Sequence, residues 1–199
     1  MKQASIIIWI AILILAGFLG WFTLDYTRDR QQVSDAPYGV PFHLIDQNGK
    51  PITEVAFRDK PTALFFGYTH CPDVCPTTLF EMDGWLQKVD PDGTKMHAYF
   101  ITVDPERDTP QIMNEYVSNV SKRIIGISGD PAKVAEVVKG FRIYAKKVPI
   151  DPNKPDGDYT MDHTASVFLL NNGGRFKGTI AYGEDGDVAV KKLENLIKG

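Results

Sequence analysis

The sequence predicts an α/β fold, a three-layer sandwich behind one apolar anchor, and three observations carry that prediction. Apolar runs of strand length alternate with segments whose apolar residues recur at helical spacing. The alternation ends on two strands joined by a short turn, followed by a last helix. One twenty-residue stretch without charge precedes the whole pattern.

The anchor comes first. Ser5 to Leu24 (SIIIWIAILILAGFLGWFTL) carries no charge, and twenty residues at about 1.5 Å rise span a bilayer core of about 30 Å. A cleaved signal peptide is the alternative, but the run exceeds the usual apolar core of about 7–15 residues and lacks a small-x-small cleavage site. Phe18 stands where a lipoprotein signal would need cysteine. Lys2 on one side and Arg28 and Arg30 on the other leave the charge rule undecided. A short flank before the span and a long domain after it fit a signal anchor with the domain exported. The expectation is a single-pass bacterial inner-membrane protein with residues 1–4 cytoplasmic, 5–24 spanning, 25–37 a linker, and 38–199 a periplasmic domain.

Within that domain Pro41–Ile45 reads as a strand, and Asn48-Gly49 as the hairpin turn that follows. Thr62–Tyr68 (TALFFGY) is an apolar run of a strand buried on both faces. After His70-Cys71-Pro72-Asp73-Val74-Cys75-Pro76, the residues Leu79, Met82, Leu86 and Val89 mark a helix. Met96–Val103 is a second buried strand. Asp108 or Thr109 caps a helix from Pro110, with Ile112, Tyr116 and Val120 on its apolar face. Ile124–Ile127 is a short strand, and Asp130-Pro131 opens the next helix. Residues 146–161 (KKVPIDPNKPDGDYTM) are too irregular for a helix and read as an excursion or flap. Ser166–Leu170 and Arg175–Tyr182 pair around a turn, and a helix after Asp187 closes the chain.

Composition excludes several functions. The net charge is −3, and beyond residue 30 there are 19 basic against 23 acidic residues, so no basic face for nucleic acid or anionic lipid is implied. The 43% apolar and 24% charged content is that of a globular protein. Two cysteines exclude a disulfide-stapled miniature and any four-cysteine zinc or iron–sulfur site. No Gly-rich nucleotide loop is present.

The two cysteines lie at the end of a buried strand and the start of a helix, where open α/β sheets place ligands. A helix starting at Pro72 would put Cys71 and Cys75 on one face, at an N-terminus that stabilises thiolate. Thiolates bind soft metals and attack disulfides. A structural disulfide is the plain alternative, yet closing so short a loop adds little chain-entropy stabilisation.

Here the sequence resembles the Sco/SenC family of membrane-anchored copper proteins with a thioredoxin-like fold. The resemblance rests on F-x-Y-T-H-C-P-D-V-C-P at Phe66 to Pro76, on V-D-P-E-R-D-T-P at Val103 to Pro110, and on Asp158-Tyr159-Thr160-Met161-Asp162-His163-Thr164, which is similar to the family's D-Y-x-x-D-H. It covers essentially 38–199 plus the anchor, and no motif of the family is missing. The resemblance implies copper ligation by Cys71, Cys75 and His163, as Cu(I) or Cu(II), and a metallochaperone that helps assemble the CuA centre of cytochrome c oxidase. It implies oxidase subunit II and a periplasmic copper donor as partners. Some members act instead, or also, as thiol–disulfide reductants of the oxidase's copper-site cysteines, with Cys71 and Cys75 as the redox pair, and others are linked to redox signalling or copper homeostasis, so those readings stay open.

The chemistry of the residues agrees. Two thiolates and one imidazole make a three-coordinate site suited to Cu(I), whereas zinc would want a fourth ligand. A site that must release its metal is expected to be shallow and exposed. Met161 to Ser166 contains no proline, which suits a ligand loop better than a disulfide-substrate clamp. His43 reads as an exposed strand residue, His97 as structural, and His70 as pointing away from the sulfurs. Asp73, Asp104 and Asp108 read as caps or solvated acids at the rim. Asp162 reads as a hydrogen-bond partner of a ligand or of a surface group, and Met161 as a weak auxiliary sulfur.

Overall fold

The apolar runs become the centre of a sheet. A computed structural model describes residues 14–21, 36–154 and 157–199. Residues 37–199 form one compact unit, and 1–36 a second. In the latter, residues 14–21 are helical and exposed. No helix among the described residues is long and apolar enough to cross a membrane. Most of the span predicted at 5–24, the N-terminus 1–4 and most of the linker lie outside the described residues.

The strands are β1 (His43–Asp46), β2 (Pro51–Thr53), β3 (Thr62–Gly67), β4 (His97–Thr102), β5 (Ile124–Ser128), β6 (Ala145–Pro149), β7 (Tyr159–His163), β8 (Ser166–Leu170) and β9 (Phe176–Ala181). The helices of the domain are α1 (Val74–Val89), α2 (Pro110–Ser118), α3 (Pro131–Gly140) and α4 (Gly186–Lys198). Seven strands form one sheet in the order β2-β1-β5-β4-β3-β8-β9. The central β3, β4 and β5 run parallel, and the flanking pairs are antiparallel.

β3 explains the layering. All six of its residues are buried, which requires cover on both faces. Successive side chains point to opposite faces. Phe65 stacks beside Phe100, whose ring also meets Tyr116 of α2. Phe66 points the other way and meets Phe141, at the end of α3, and Phe168. Helices therefore cover both faces, as the sequence predicts.

The helix starts follow local chemistry. Asp130 caps α3 through the amides of Ala132 and Lys133, and Pro131 occupies the first turn. Thr109, not Asp108, caps α2 by accepting from the Ile112 amide. α1 begins at Val74, later than expected, so Pro72 and Cys71 lie in the turn before it.

The excursion expected at 146–161 is instead a hairpin. β6 and β7 pair antiparallel, Ala145 opposite His163 and Pro149 opposite Tyr159, as a separate two-stranded sheet. Pro149 ends β6, and two of its five residues are exposed lysines (Lys146 and Lys147), so no apolar alternation announces the strand. Ile150 donates its amide to the Asp158 carbonyl and carries the pairing one step toward the hairpin tip.

Candidate metal centre

Each ligand candidate is delivered by a different element. Cys71 sits in the turn after β3, its amide donating to the Tyr68 carbonyl at 3.4 Å. Cys75 is the second residue of α1 and fully buried. His163 ends β7. Their ligand atoms all lie within 4.8 Å of one another, and Cys75 Sγ is 3.5 Å from His163 Nε2. The two cysteines are free thiols.

Close approach under the pair depends on Gly67. A Cβ there would stand 2.8 Å from Cys75 Sγ and 2.7 Å from the Phe100 ring. The strand can end beneath the sulfur only because that position has no side chain.

The imidazole is set in one tautomer. Its Nδ1 is 3.1 Å from the Thr164 carbonyl, which only accepts, so Nδ1 carries the proton and Nε2 presents its lone pair to the sulfurs. Tyr68 and Phe65 meet the ring edge-on, at 5.8 and 6.1 Å between centroids. The Tyr68 hydroxyl is anchored in turn on Thr160 Oγ1 at 2.7 Å.

The thiols are unlike each other. A hydrogen bond from Cys75 holds the Cys71 thiol far below its ordinary range. The backbone of Asp73 and Cys75 adds to that, against partial burial, the Cys75 amide donating to Cys71 Sγ at 3.4 Å. The same hydrogen bond and deep burial push the Cys75 thiol up. Together the pair holds one negative charge readily at the half-exposed sulfur.

These residues fit a soft cation. With bonds of about 2.0–2.3 Å, three ligand atoms in a plane stand about 3.5–4.0 Å apart, so the observed triangle closes with side-chain shifts of about 1 Å. Two sulfurs and one imidazole nitrogen suit a soft or borderline ion. The centre opens on a cleft of about 280 Å³ lined by Tyr68, Pro72, Asp73, Thr160 and Asp162 beside the ligands. The expectation of an exposed site holds for Cys71 and His163, which are partly exposed, and not for Cys75.

The other candidates separate cleanly. His43 is exposed, His97 pairs with Asp59 at 3.2 Å, and His70 is exposed with Nδ1 on Thr69 Oγ1 at 3.1 Å. Asp73 precedes α1 but makes no side-chain cap. Asp162 is exposed on the cleft rim. Met161 is 8% exposed and belongs to the core.

Asp104 and Asp108 correct the sequence reading, for neither is a cap or a solvated acid. Both are fully buried. Asp108 accepts from the Thr69 amide at 3.0 Å, the Thr69 hydroxyl at 2.6 Å and the Thr102 hydroxyl at 2.6 Å. It therefore fastens the segment two residues ahead of Cys71. Burial raises its pKa against those hydrogen bonds. Asp104 accepts from Arg107 and from the Tyr159 hydroxyl, the latter at 2.8 Å. Sequence reasoning missed Arg107, Tyr159, Tyr68 and Thr69 as individuals, although all four lie inside the three motifs it singled out.

A family model described as SCO1/SenC matches residues 30–198. The mitochondrial protein SCO2 of Saccharomyces cerevisiae is 37% identical over 161 residues, which are 80% of this chain and 53% of that protein. The mitochondrial SCO1 homolog 1 of Arabidopsis thaliana is 37% identical over 145 residues, 72% of this chain and 42% of that protein. The chain thus spans about half the length of these relatives. Among solved structures, Bradyrhizobium japonicum ScoI with copper bound is 48% identical, with a TM-score of 0.72 over 80% of this chain and 99% of that one. Yeast Sco1 with copper bound is 32% identical, with a TM-score of 0.73 over 82% and 90%.

Proposed function

The chain belongs to the SCO1/SenC family, and from that premise we propose that it is a copper metallochaperone whose cargo is held by Cys71, Cys75 and His163. The observation that carries this reading is the convergence of two thiols and one imidazole lone pair, from three separate elements, within 4.8 Å. Solved relatives of this fold bear copper, and the donor set suits Cu(I). We further assign the cargo's destination as the CuA centre of cytochrome c oxidase, with subunit II as recipient and a periplasmic copper protein as donor. The apolar run at 5–24 supports an inner-membrane anchor with the domain in the periplasm.

A second reading has its own support. A partly exposed thiol of lowered pKa beside a buried thiol is also the arrangement of a dithiol reductant. The His163→Ala variant separates the two. As a copper carrier it loses tight Cu(I) binding and CuA assembly under copper limitation, while Cys71 and Cys75 still reduce a disulfide. Unchanged copper affinity and assembly in that variant would remove His163 from the ligand set and leave the reductant reading.

A further inference from the structure

Among the described residues, the hairpin that carries His163 pairs with no strand of the main sheet. The two-residue link from His163 into β8 and the buried Met161 tie it to the body, and one cation adds a set of polar contacts. Arg107 lies in the loop after β4. Its Nε donates to the buried Asp104 carboxylate, and its Nη1 donates to the Tyr159 carbonyl at 3.0 Å. Its guanidinium lies 3.8 Å from the centre of the Tyr159 ring. The Tyr159 hydroxyl closes the circuit by donating to Asp104 at 2.8 Å. Tyr159 is thus held by carbonyl, ring and hydroxyl at once.

Tyr159 opens β7 and His163 ends it. Alternate residues of a strand share a face, so Tyr159, Met161 and His163 point to one side. The burial of Met161 and the exposure of Asp162 agree. Fixing the Tyr159 ring therefore fixes which face β7 presents and how far it stands from α1. Among the described residues the Nη2 of Arg107 is buried with no hydrogen-bond partner. The next residue in the same loop, Asp108, fastens the cysteine segment through Thr69. Residues 104–108 thereby hold both halves of the centre against one frame.

We propose that Arg107 is a positioning residue for metal binding: acting through Tyr159, it sets the distance from the His163 imidazole to the two sulfurs. The inference rests on the metal reading of the centre. Its test uses the full chain and Cu(I) itself, with affinity measured against a chromophoric Cu(I) chelator. Arg107→Met weakens binding by about 10–100-fold, the usual effect of losing a partner that orients a metal ligand. Arg107→Lys keeps the charge but cannot span Asp104 and Tyr159 together, and it fails to restore affinity. Should Arg107→Met not fold, the lysine variant carries the test alone.

A double-mutant cycle supplies the readout that a merely structural role would not produce. In the His163→Ala background the Arg107 substitution has no further effect on affinity, because the group it positions is gone. Wild-type affinity in both Arg107 variants, full recovery by lysine, or an undiminished loss in the His163→Ala background each overturns the proposal. Wild-type affinity in His163→Ala alone overturns the metal reading itself, so the two failures are told apart.

Discussion

The cysteine half and the histidine half of the centre are built in different ways. Cys71 and Cys75 hang on the junction of β3 and α1, where every residue of the strand is buried and neighbours pair on both sides. His163 hangs on a hairpin outside the main sheet, held by polar contacts of Arg107, Tyr159 and Tyr68, by the buried Met161, and by the two-residue link into β8. The difference teaches where affinity can be adjusted. Moving the sulfurs means deforming a strand packed and paired on both sides, which is costly, whereas moving the imidazole disturbs a two-stranded hairpin held by Met161 and a few polar contacts. A carrier that must hold and then release an ion is well served by one fixed and one adjustable half.

If that contrast is right, damage to the cysteine half should register as lost stability. The largest effect is expected for Asp108→Ala, which strands the Thr69 amide and two hydroxyls, at about 1–3 kcal/mol for each buried group left unpaired. Denaturant unfolding of the apo chain measures it. Gly67→Ala comes next, because its methyl meets Cys75 Sγ and Phe100 below 3 Å. Overpacking of this kind costs about 1–3 kcal/mol, read in the same experiment, and it displaces a ligand as well.

A smaller effect sharpens the contrast through pH. The folded Cys71 thiol is held low, so its thiolate persists as pH falls. Its alkylation rate, followed by mass spectrometry, stays nearly flat below about pH 8, where an ordinary thiol of pKa about 8.5 loses close to tenfold per unit. Cys75→Ala shifts this profile to higher pH by more than His163→Ala does, since Cys75 supplies the larger stabilisation of the thiolate. The reverse order would show the histidine half governing the sulfur. Smallest of all is Lys147→Ala, which removes an exposed pair with Glu106 at 2.6 Å. Such pairs contribute about 0–1 kcal/mol, so copper affinity and unfolding midpoint barely move, and a large loss would make Lys147 part of the clasp.

The same division decided what the sequence could reveal. β3, β4 and α1 are legible because burial imposes apolar runs and helical spacing, and α3 because Asp130-Pro131 is a complete start signal. β6 and β7 are not, since a hairpin with exposed Lys146, Lys147 and Asp162 carries no such pattern. Cys71 and Cys75 announce themselves by spacing. His163 stands 88 positions after Cys75, so only the family resemblance could join them. Asp108 looked like a cap because an acid two residues before Pro110 usually is one; that Thr69 and Thr102 would surround it is a tertiary fact.

The claim beneath all of this is that both sulfurs and the His163 nitrogen share one ion. X-ray absorption at the copper edge of the Cu(I)-loaded full chain tests it directly. The account predicts two sulfur neighbours and one nitrogen neighbour at about 2.0–2.3 Å, with the nitrogen lost in His163→Ala. A spectrum of sulfur neighbours alone, identical in the wild type and the variant, would contradict it.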